Sequence, residues 1–404
     1  MLYNKAKSFD KADIDMKIMI MSDVVPTASS KNEYTDGAIE KLLSNGFREK
    51  LNEAAFNIVN LECPLTRENE PAAKWGSRLK ALPESIEALR KIPGLVVNLA
   101  NNHIRDYGSQ GVLDTIQVLE EYDIPYLGAG RELEHSNRSL ILESSSYKIG
   151  VYSCTEHEFS IAGEKSAGAH PVEEGEDILA LQKLKRQTDY VIFLYHGGVE
   201  FYPYPTPEMQ KRLRRYVSAG ADLVVCQHSH CIGCTETYQN GILVYGQGNF
   251  LFGERPEVEA NIQDQDAWKS GMALCVDIKE HSIEYLFYRN KNGILDWTHE
   301  PEMLGKMQER NKLLQTPGFL REEWGRYCAR HANYMEIFQK SFFKRKAPWK
   351  SRIKKSIAAL TGKDTLSEQE YLRIYNYLTC EVHQELLRTN CKAEIEKRNT
   401  GCFD

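Results

Sequence analysis

Short apolar runs alternate with amphipathic stretches along the first two thirds of the chain, and this alternation limits the fold more than any other feature of the sequence. The runs are Lys17–Ser22, Phe56–Leu61, Leu95–Ala100, Ile124–Leu127, Ile149–Ser153, Tyr190–Tyr195, Leu223–Cys226 and Ile242–Tyr245. They are strand-length and rich in β-branched residues, which reads as strands buried on both faces. Between them lie helical patterns such as Gly111–Tyr122, with Val112, Leu113, Ile116 and Leu119 on one face, and Pro207–Ala219. Asp36 and Ser85 stand near expected helix starts. Strand–helix alternation predicts an α/β fold. Met272–Ile278 and Ser282–Tyr288 read as a late hairpin, so a mixed sheet is expected.

The character changes near residue 300, where strand signals stop and the text becomes helical and charged. We therefore expect a lead-in over 1–16, one α/β domain over 17–299 and a helical appendage over 300–404, ending in a helix near Ser367–Thr389. Within the appendage, residues 340–355 carry eight basic residues and no acid, interleaved with Phe342, Phe343 and Trp349. Three readings stand for this stretch: peripheral contact with an anionic membrane, binding of a polyanionic polymer or partner protein, or a solvated helix end. The chain has 404 residues, 42% hydrophobic and 27% charged, with a net charge of −6. Those values exclude collagen-like, low-complexity and wholly disordered classes. An acidic total argues against general nucleic-acid binding, so none is expected. The first residues lack an apolar segment, and no apolar run is long enough for a membrane span. The expected location is the cytoplasm, membrane-peripheral if 340–355 binds lipid, with the ten cysteines mostly reduced.

The residues that follow the runs carry the chemistry. They are Asp23, Glu62, Asn101-Asn102-His103, His196 with Glu200, His228-Ser229-His230, and Asn249 at the end of Gly246-Gln247-Gly248. Ligands of α/β sheets bind beyond the carboxyl ends of strands, so six strand ends could bring these groups together. Mixed carboxylate, amide and imidazole donors suit Zn, Mn or Fe, and such a centre activates water and neutralises a substrate oxyanion. Taken singly, each has a plainer reading: Asp23 as a turn or cap residue, Glu62 as a loop carboxylate, His196 as a satisfied core histidine. His228 and His230 point the same way if their segment is extended. Cys231-x-x-Cys234 with a histidine is a second, weaker arrangement for structural zinc, against buried thiols. Lys74, Arg78 and Lys80 form a cationic loop that suits an anionic substrate or is simply solvated. Glu200 and Asn249 are further candidate substrate contacts. Tyr202-Pro203-Tyr204-Pro205 reads as a rigid rim or a turn.

The segments NLECPLT (60–66), LANNHIRDYG (99–108), DTIQVLEEYDIPYLGAG (114–130), HGGVEFY (196–202), AGADLVVCQHSHC (219–231) and YGQGNFLF (245–252) resemble the CapA family of capsule and poly-γ-glutamate biosynthesis proteins, relatives of the calcineurin-like metallophosphatases. The resemblance spans about 17–290. It implies a four-layer αββα sandwich with a metal centre at the strand ends, and one or two divalent ions. Carried over by position, Asp23, Glu62, Asn102, His196, His228 and His230 are the implied ligands. His103 is the implied acid or oxyanion stabiliser. Asp106 either orients His103 or caps the following helix.

The chain also departs from the metallophosphatase pattern. Val25 stands where those enzymes have a histidine, Glu62 where they have a bridging aspartate, and Cys226-Gln227 and Ser229 where relatives have Gly-His and Pro. The resemblance implies a metal-dependent hydrolase acting on an anionic ester or related bond in surface-polymer biosynthesis. Its substrate would be an anionic polymer or small anion, with a polymer synthase or export complex as partner. The alternative is an accessory protein that binds metal or polymer without chemistry, which Val25 favours.

Overall fold

Side chains alternate along the central strands, and that alternation sorts the hydrophobic interior into three parts. The computed structural model describes residues 17–144, 146–253, 265–332 and 367–399. The lead-in over 1–16 and the basic stretch 340–355 fall outside them. In β1 (Lys17–Val25), Ile18 and Ile20 join one cluster while Met19 and Met21 join another. In β9 (Tyr190–His196), Ile192 and Leu194 share the cluster of Ile18 and Ile20, whereas Val191 and Phe193 join a third. Successive side chains of a strand leave opposite faces, so each strand serves two cores.

Among the described residues the first sheet has eight strands. Its path is β16 (Ile294–Trp297), β15 (Ser282–Lys291), β14 (Ser270–Asp277), β1, β2 (Phe56–Leu61), β3 (Leu95–Asn98) and β4 (Tyr126–Leu127), with β13 (Asn249–Phe252) paired to β1. The β1, β2, β3, β4 and β13 pairings are parallel, and those of β14 to β16 are antiparallel. The second sheet runs β11 (Thr235–Tyr238), β12 (Gly241–Val244), β10 (Leu223–Gln227), β9, β7 (Lys148–Thr155) and β6 (Leu140–Glu143). A two-stranded pair, β5 (Ala129–Gly130) with β8 (Gly168–Ala169), stands apart.

The two sheets face each other through Ile18, Ile20, Ile58 and Val96 on one side and Ile149, Ile192, Leu194 and Val225 on the other. The outer face of the first sheet packs on Phe47, Leu51, Leu89, Val112 and Ile116. These belong to the helices Asn45–Asn52, Ile86–Leu89 and Gly108–Glu121. The outer face of the second packs on Leu181, Leu184, Leu213 and Tyr216, from Glu174–Lys185 and Pro207–Ala219. The order is helix, sheet, sheet, helix, the four layers that the resemblance implied. Thr206 caps Pro207–Ala219 by accepting from the Met209 N–H, and Gly220 at φ 123° ends it.

Several sequence expectations shift. Asp36 ends the helix Lys31–Thr35 instead of opening one, and Ser85 precedes Ile86–Leu89 without a side-chain cap bond. The described residues group into two units, one over 17–72 and 78–317, the other over 73–77 and 318–399. Helix Pro301–Leu314 belongs to the first, because Met303 and Met307 join the core between the sheets. The division thus falls past residue 300. In the second unit the expected single terminal helix is two, Glu368–Thr379 and Glu381–Asn399. Cys380 takes an extended conformation (φ −70°, ψ 128°), which no helical periodicity signals. Ser367 and Glu370 form a reciprocal capping box at the start of the first of these. Among the described residues, no helix is long and apolar enough to cross a membrane.

Leu194 is wholly buried between the sheets, and Leu179 on helix Glu174–Lys185 is 66% exposed. Leu194→Ala is expected to cost about 2–5 kcal/mol. Leu179→Ala is expected to stay within about 0.5 kcal/mol. Urea titration of the two variants beside wild type checks the contrast.

Candidate metal centre

At the carboxyl ends of the parallel strands, polar residues stand in register. Asp23 of β1 lies opposite Asn60 of β2, and Asn60 opposite Asn98 of β3. In the second sheet His196 of β9 lies between Thr155 of β7 and Gln227 of β10. Asn60 links the sheets. Its Oδ1 accepts from Asn98 Nδ2 and Asn101 Nδ2, each at 3.2 Å. That fixes its amide nitrogen toward Asp23 Oδ1 at 2.7 Å and His196 Nδ1 at 3.2 Å. His196 Nδ1 thus faces that amide, and Nε2 is turned to the centre, 3.1 Å from Asn102 Oδ1 and 3.3 Å from Glu62 Oε1.

Two overlapping groups emerge. Glu62, His196 and His228 offer donor atoms within 4.8 Å of one another, and so do Asp23, Glu62 and His230. Glu62 belongs to both. Asn102 joins the first through its contact with His196, and Asn102 Nδ2 reaches Glu158 Oε1 at 3.4 Å. In the second, His230 Nδ1 lies 2.8 Å from Asn249 Oδ1 and 3.7 Å from Asp23 Oδ2. Asn249 Nδ2 donates to the Trp268 carbonyl at 3.1 Å, so its oxygen is the atom turned to His230. His230 thus donates from Nδ1, which leaves Nε2 as the nitrogen for a cation. His228 and His230 do not sit on an extended segment. Both have positive φ, 92° and 49°, and this left-handed turn directs them to different groups.

Burial dominates the electrostatics. Asp23 and Glu62 are wholly buried, and His196, His228 and His230 nearly so. Desolvation, then the Asp23 charge, pushes the Glu62 carboxyl well above the usual carboxylate range. Burial lowers His196 to about 4. At His230 burial opposes the charged form, but the Glu62, Glu200 and Asp23 carboxylates together outweigh it and raise the imidazole. Neither carboxylate oxygen of Glu62 has a hydrogen-bond partner in the structure. A dry, unbonded carboxylate between two imidazole-bearing groups fits a cation bound there.

The remaining expected residues fall in three places. His103 and Asp106 are adjacent to the centre in sequence and outside both groups. His103 Nδ1 lies 2.6 Å from Asp106 Oδ2, which also accepts from the Leu79 N–H at 2.6 Å. Asp106 does not cap the following helix, whose N-terminal residue Tyr107 makes no side-chain cap bond. Glu200 is exposed, yet its charge is felt at Glu62, His196 and His230. Lys74 is buried in the short segment of the second unit, and Arg78 Nε donates to the Ala72 carbonyl at 2.9 Å. Cys226, Cys231 and Cys234 are buried without disulfides, and no group able to hold a metal among the described residues includes a cysteine. The Pro203 carbonyl accepts from the Cys234 N–H at 3.0 Å. Asn60, Asn98 and Glu158 were not anticipated. Amides inside runs that read as buried on both faces were the available signal for the first two, and Glu158 had none.

A family model described as "Bacterial capsule synthesis protein PGA_cap" matches residues 17–254. The capsule biosynthesis protein CapA of Bacillus anthracis is 30% identical over 204 residues, covering 48% of this chain and 49% of that protein. The PGA biosynthesis protein CapA of Bacillus subtilis (strain 168) is 28% identical over 200 residues, covering 48% and 52%. The match spans about half the length of these relatives. A solved structure of a hypothetical protein from Thermus thermophilus covers 70% of this chain and 96% of its own, at 15% identity and a TM-score of 0.38.

A raised Glu62 favours the protonated folded state. In chelator-treated protein this residue therefore lowers stability as pH rises above the ordinary glutamate value of about 4.3. Glu62→Gln removes that component, so the metal-free variant should gain on wild type between pH 5 and 8 in thermal unfolding. Adding Mn or Zn should reverse the order, because only wild type keeps the carboxylate shared by both groups.

Proposed function

Because this chain belongs to the bacterial capsule synthesis protein PGA_cap family, we propose that it is a metal-dependent hydrolase acting on an anionic ester or related bond in capsule or polyglutamate biosynthesis. The observation that carries this reading is the unbonded, fully buried Glu62 carboxylate common to two metal-competent groups. Asp23, Glu62 and His230 would hold one divalent ion, and Glu62, Asn102, His196 and His228 the other; Mn, Zn and Fe all suit such donors. Bound there, divalent ions supply electrophilic polarisation of the substrate and a nucleophile at neutral pH.

The chain's own residues do the rest. Glu158 holds the Asn102 amide nitrogen, which leaves Asn102 Oδ1 turned to the centre. Asn249 Oδ1 engages His230 Nδ1, which leaves Nε2 as the nitrogen for a cation. The Asp106 carboxylate fixes the proton of His103 on Nδ1 in the neutral ring and stabilises the imidazolium, from which Nε2 gives a proton to the leaving group. The substrate would be a segment of anionic polymer or a smaller anion, and a synthase or export complex the partner. Relatives named for capsule and PGA biosynthesis support that setting.

One observation favours an accessory role without turnover. Val25 is 2% exposed within the core beneath the first sheet, so the Asp23 group has three donors where metallophosphatases have a further histidine. Metal analysis with a generic aryl phosphate separates the readings. Wild type should carry metal and turn over. His228→Ala should lose metal and activity together. His103→Ala should keep its metal and lose roughly 10²–10⁴-fold in kcat. Stoichiometric metal with no turnover on an ester and amide panel would overturn the hydrolase and leave the accessory role.

A further inference from the structure

The turn that carries His228 and His230 is strained, and part of what holds it lies outside residues 17–254, the region that the family model matches. Both histidines have left-handed backbone, φ 92° and 49°. Residues with a Cβ keep such a conformation only where their surroundings fix it. Within the matched region, the Ser229 carbonyl accepts from the Phe201 N–H at 2.7 Å and the Cys231 carbonyl from the Gly248 N–H at 3.1 Å. The Gly233 N–H donates to the Gly246 carbonyl and the Cys234 N–H to the Pro203 carbonyl, each at 3.0 Å.

The Ile232 carbonyl and the Thr235 N–H are met instead by helix Pro301–Leu314. Arg310 Nη1 donates to the Ile232 carbonyl. Asn311 Oδ1 accepts from the Thr235 N–H at 2.6 Å, and Asn311 Nδ2 donates to Thr235 Oγ1 at 2.7 Å. A backbone N–H can only donate, so the orientation of the Asn311 amide is settled. Met303, Met307 and Leu314 recur at helical spacing and turn one face of the helix inward. The two methionines enter the core between the sheets, and Leu314 packs on the core outside the second sheet. Positions 310 and 311 lie on that same face, half-buried and polar where an apolar side chain would continue the stripe. Apolar residues there would leave a carbonyl and an N–H of the turn without these partners. The helix thus docks by its apolar residues and grips the turn by its polar ones.

The two histidines depend on this grip unequally. His228 directly follows Gln227 of β10, and its N–H reaches Asp23 Oδ2 at 3.4 Å. His230 stands two residues before the carbonyl that Arg310 holds. We propose that Arg310 and Asn311 are positioning residues of the metal centre: by fixing the backbone after His230 they set its imidazole against Asp23 and Glu62. The inference rests on the reading of those donors as a metal site. It makes that site incomplete without a helix that lies beyond the family-matched residues.

The test titrates Mn into the chelator-stripped full chain by calorimetry, with the visible spectrum of the Co-loaded protein as a second readout. Arg310→Met keeps the aliphatic stem and removes the donors. It should weaken metal binding roughly tenfold or more, as loss of a group that orients a ligand does. Asn311→Ala should act in the same direction, and Arg310→Lys, which restores a donor, should recover part of the loss. The Co spectrum should change in Arg310→Met. Leu184→Ala, on helix Glu174–Lys185 and 2% exposed, should lower the unfolding temperature and leave metal affinity unchanged. In a His230→Ala background Arg310→Met should cost less than about twofold, because the residue it positions is gone. Unchanged affinity in both Arg310→Met and Asn311→Ala, an equal loss in Leu184→Ala, or an undiminished loss in the His230→Ala background overturns the proposal alone. A wild type that binds no metal overturns the proposal together with the reading of the centre. Absence of turnover with the expected affinity losses in place overturns the hydrolase reading alone, because affinity is read without catalysis.

Discussion

Two wholly buried carboxylates within reach of the same imidazoles govern the architecture around them. Moving a carboxylate out of water costs several kcal/mol even after relaxation, and a second one nearby raises the cost. Asp23 has an amide donor from Asn60 and the backbone N–H of His228 at 3.4 Å. Glu62 has neither, and its carboxyl is pushed up accordingly. The packing of apolar layers gives no reason for such a residue at the end of a strand. It is compatible with the fold as a neutral acid or beneath a cation, and the five donor-bearing side chains around it favour the cation.

The sheets are braced to hold that arrangement. β1 changes register with β2 between Ile20 and Asp23, an irregularity that interrupts the ladder where the site begins. Gln227 Nε2 donates to the Met21 carbonyl at 3.1 Å and Gln247 Nε2 to the Ile20 carbonyl at 2.9 Å. Side-chain amides thus meet backbone acceptors at the irregularity, and Gln227 continues the bracing to Asn98 and Gln247. The turn that delivers Gln247 and Asn249 depends on Gly248, whose φ of 72° suits glycine and whose added Cβ would lie 2.4 Å from the Ser270 carbonyl oxygen. Donors fixed on strands and short turns of this kind hold their geometry better than donors on long loops.

Much of this was legible in the sequence, for a physical reason. A strand buried on both faces must be apolar until it leaves the core, so the first polar group after each run marks a strand end, and parallel strands end on one side. Asp23, Glu62, His196, His228 and His230 followed from that rule together with the family resemblance. The α/β class followed from the same runs, and the four layers from the family resemblance. What escaped depended on local backbone or long-range pairing. An extended reading of His228 and His230 suggested one shared direction, whereas left-handed backbone sends them to different groups. Asn60 and Asn98 sat inside apolar runs, where their partners lie 38 residues apart and could not be seen. Helix Pro301–Leu314 looked like the start of an appendage because its charged face dominates the text, yet two methionines bind it to the core between the sheets.

The two donor groups differ in a way that bears on what the centre can do. Glu62, His196 and His228 offer one carboxylate and two imidazoles, with an amide beside them; Asp23, Glu62 and His230 offer two carboxylates and one imidazole. The first set is softer and less charged, the second harder and more so, and ions sort by such differences. Val25, committed to the core, keeps the second set at three. His103 with Asp106 belongs to neither set. Asp106 also secures the backbone at Leu79, which gives it a structural task of its own. An accessory role would need only the donor groups and the bracing amides, while the proposed proton transfer to a leaving group would also need His103 on the buried Asp106 carboxylate.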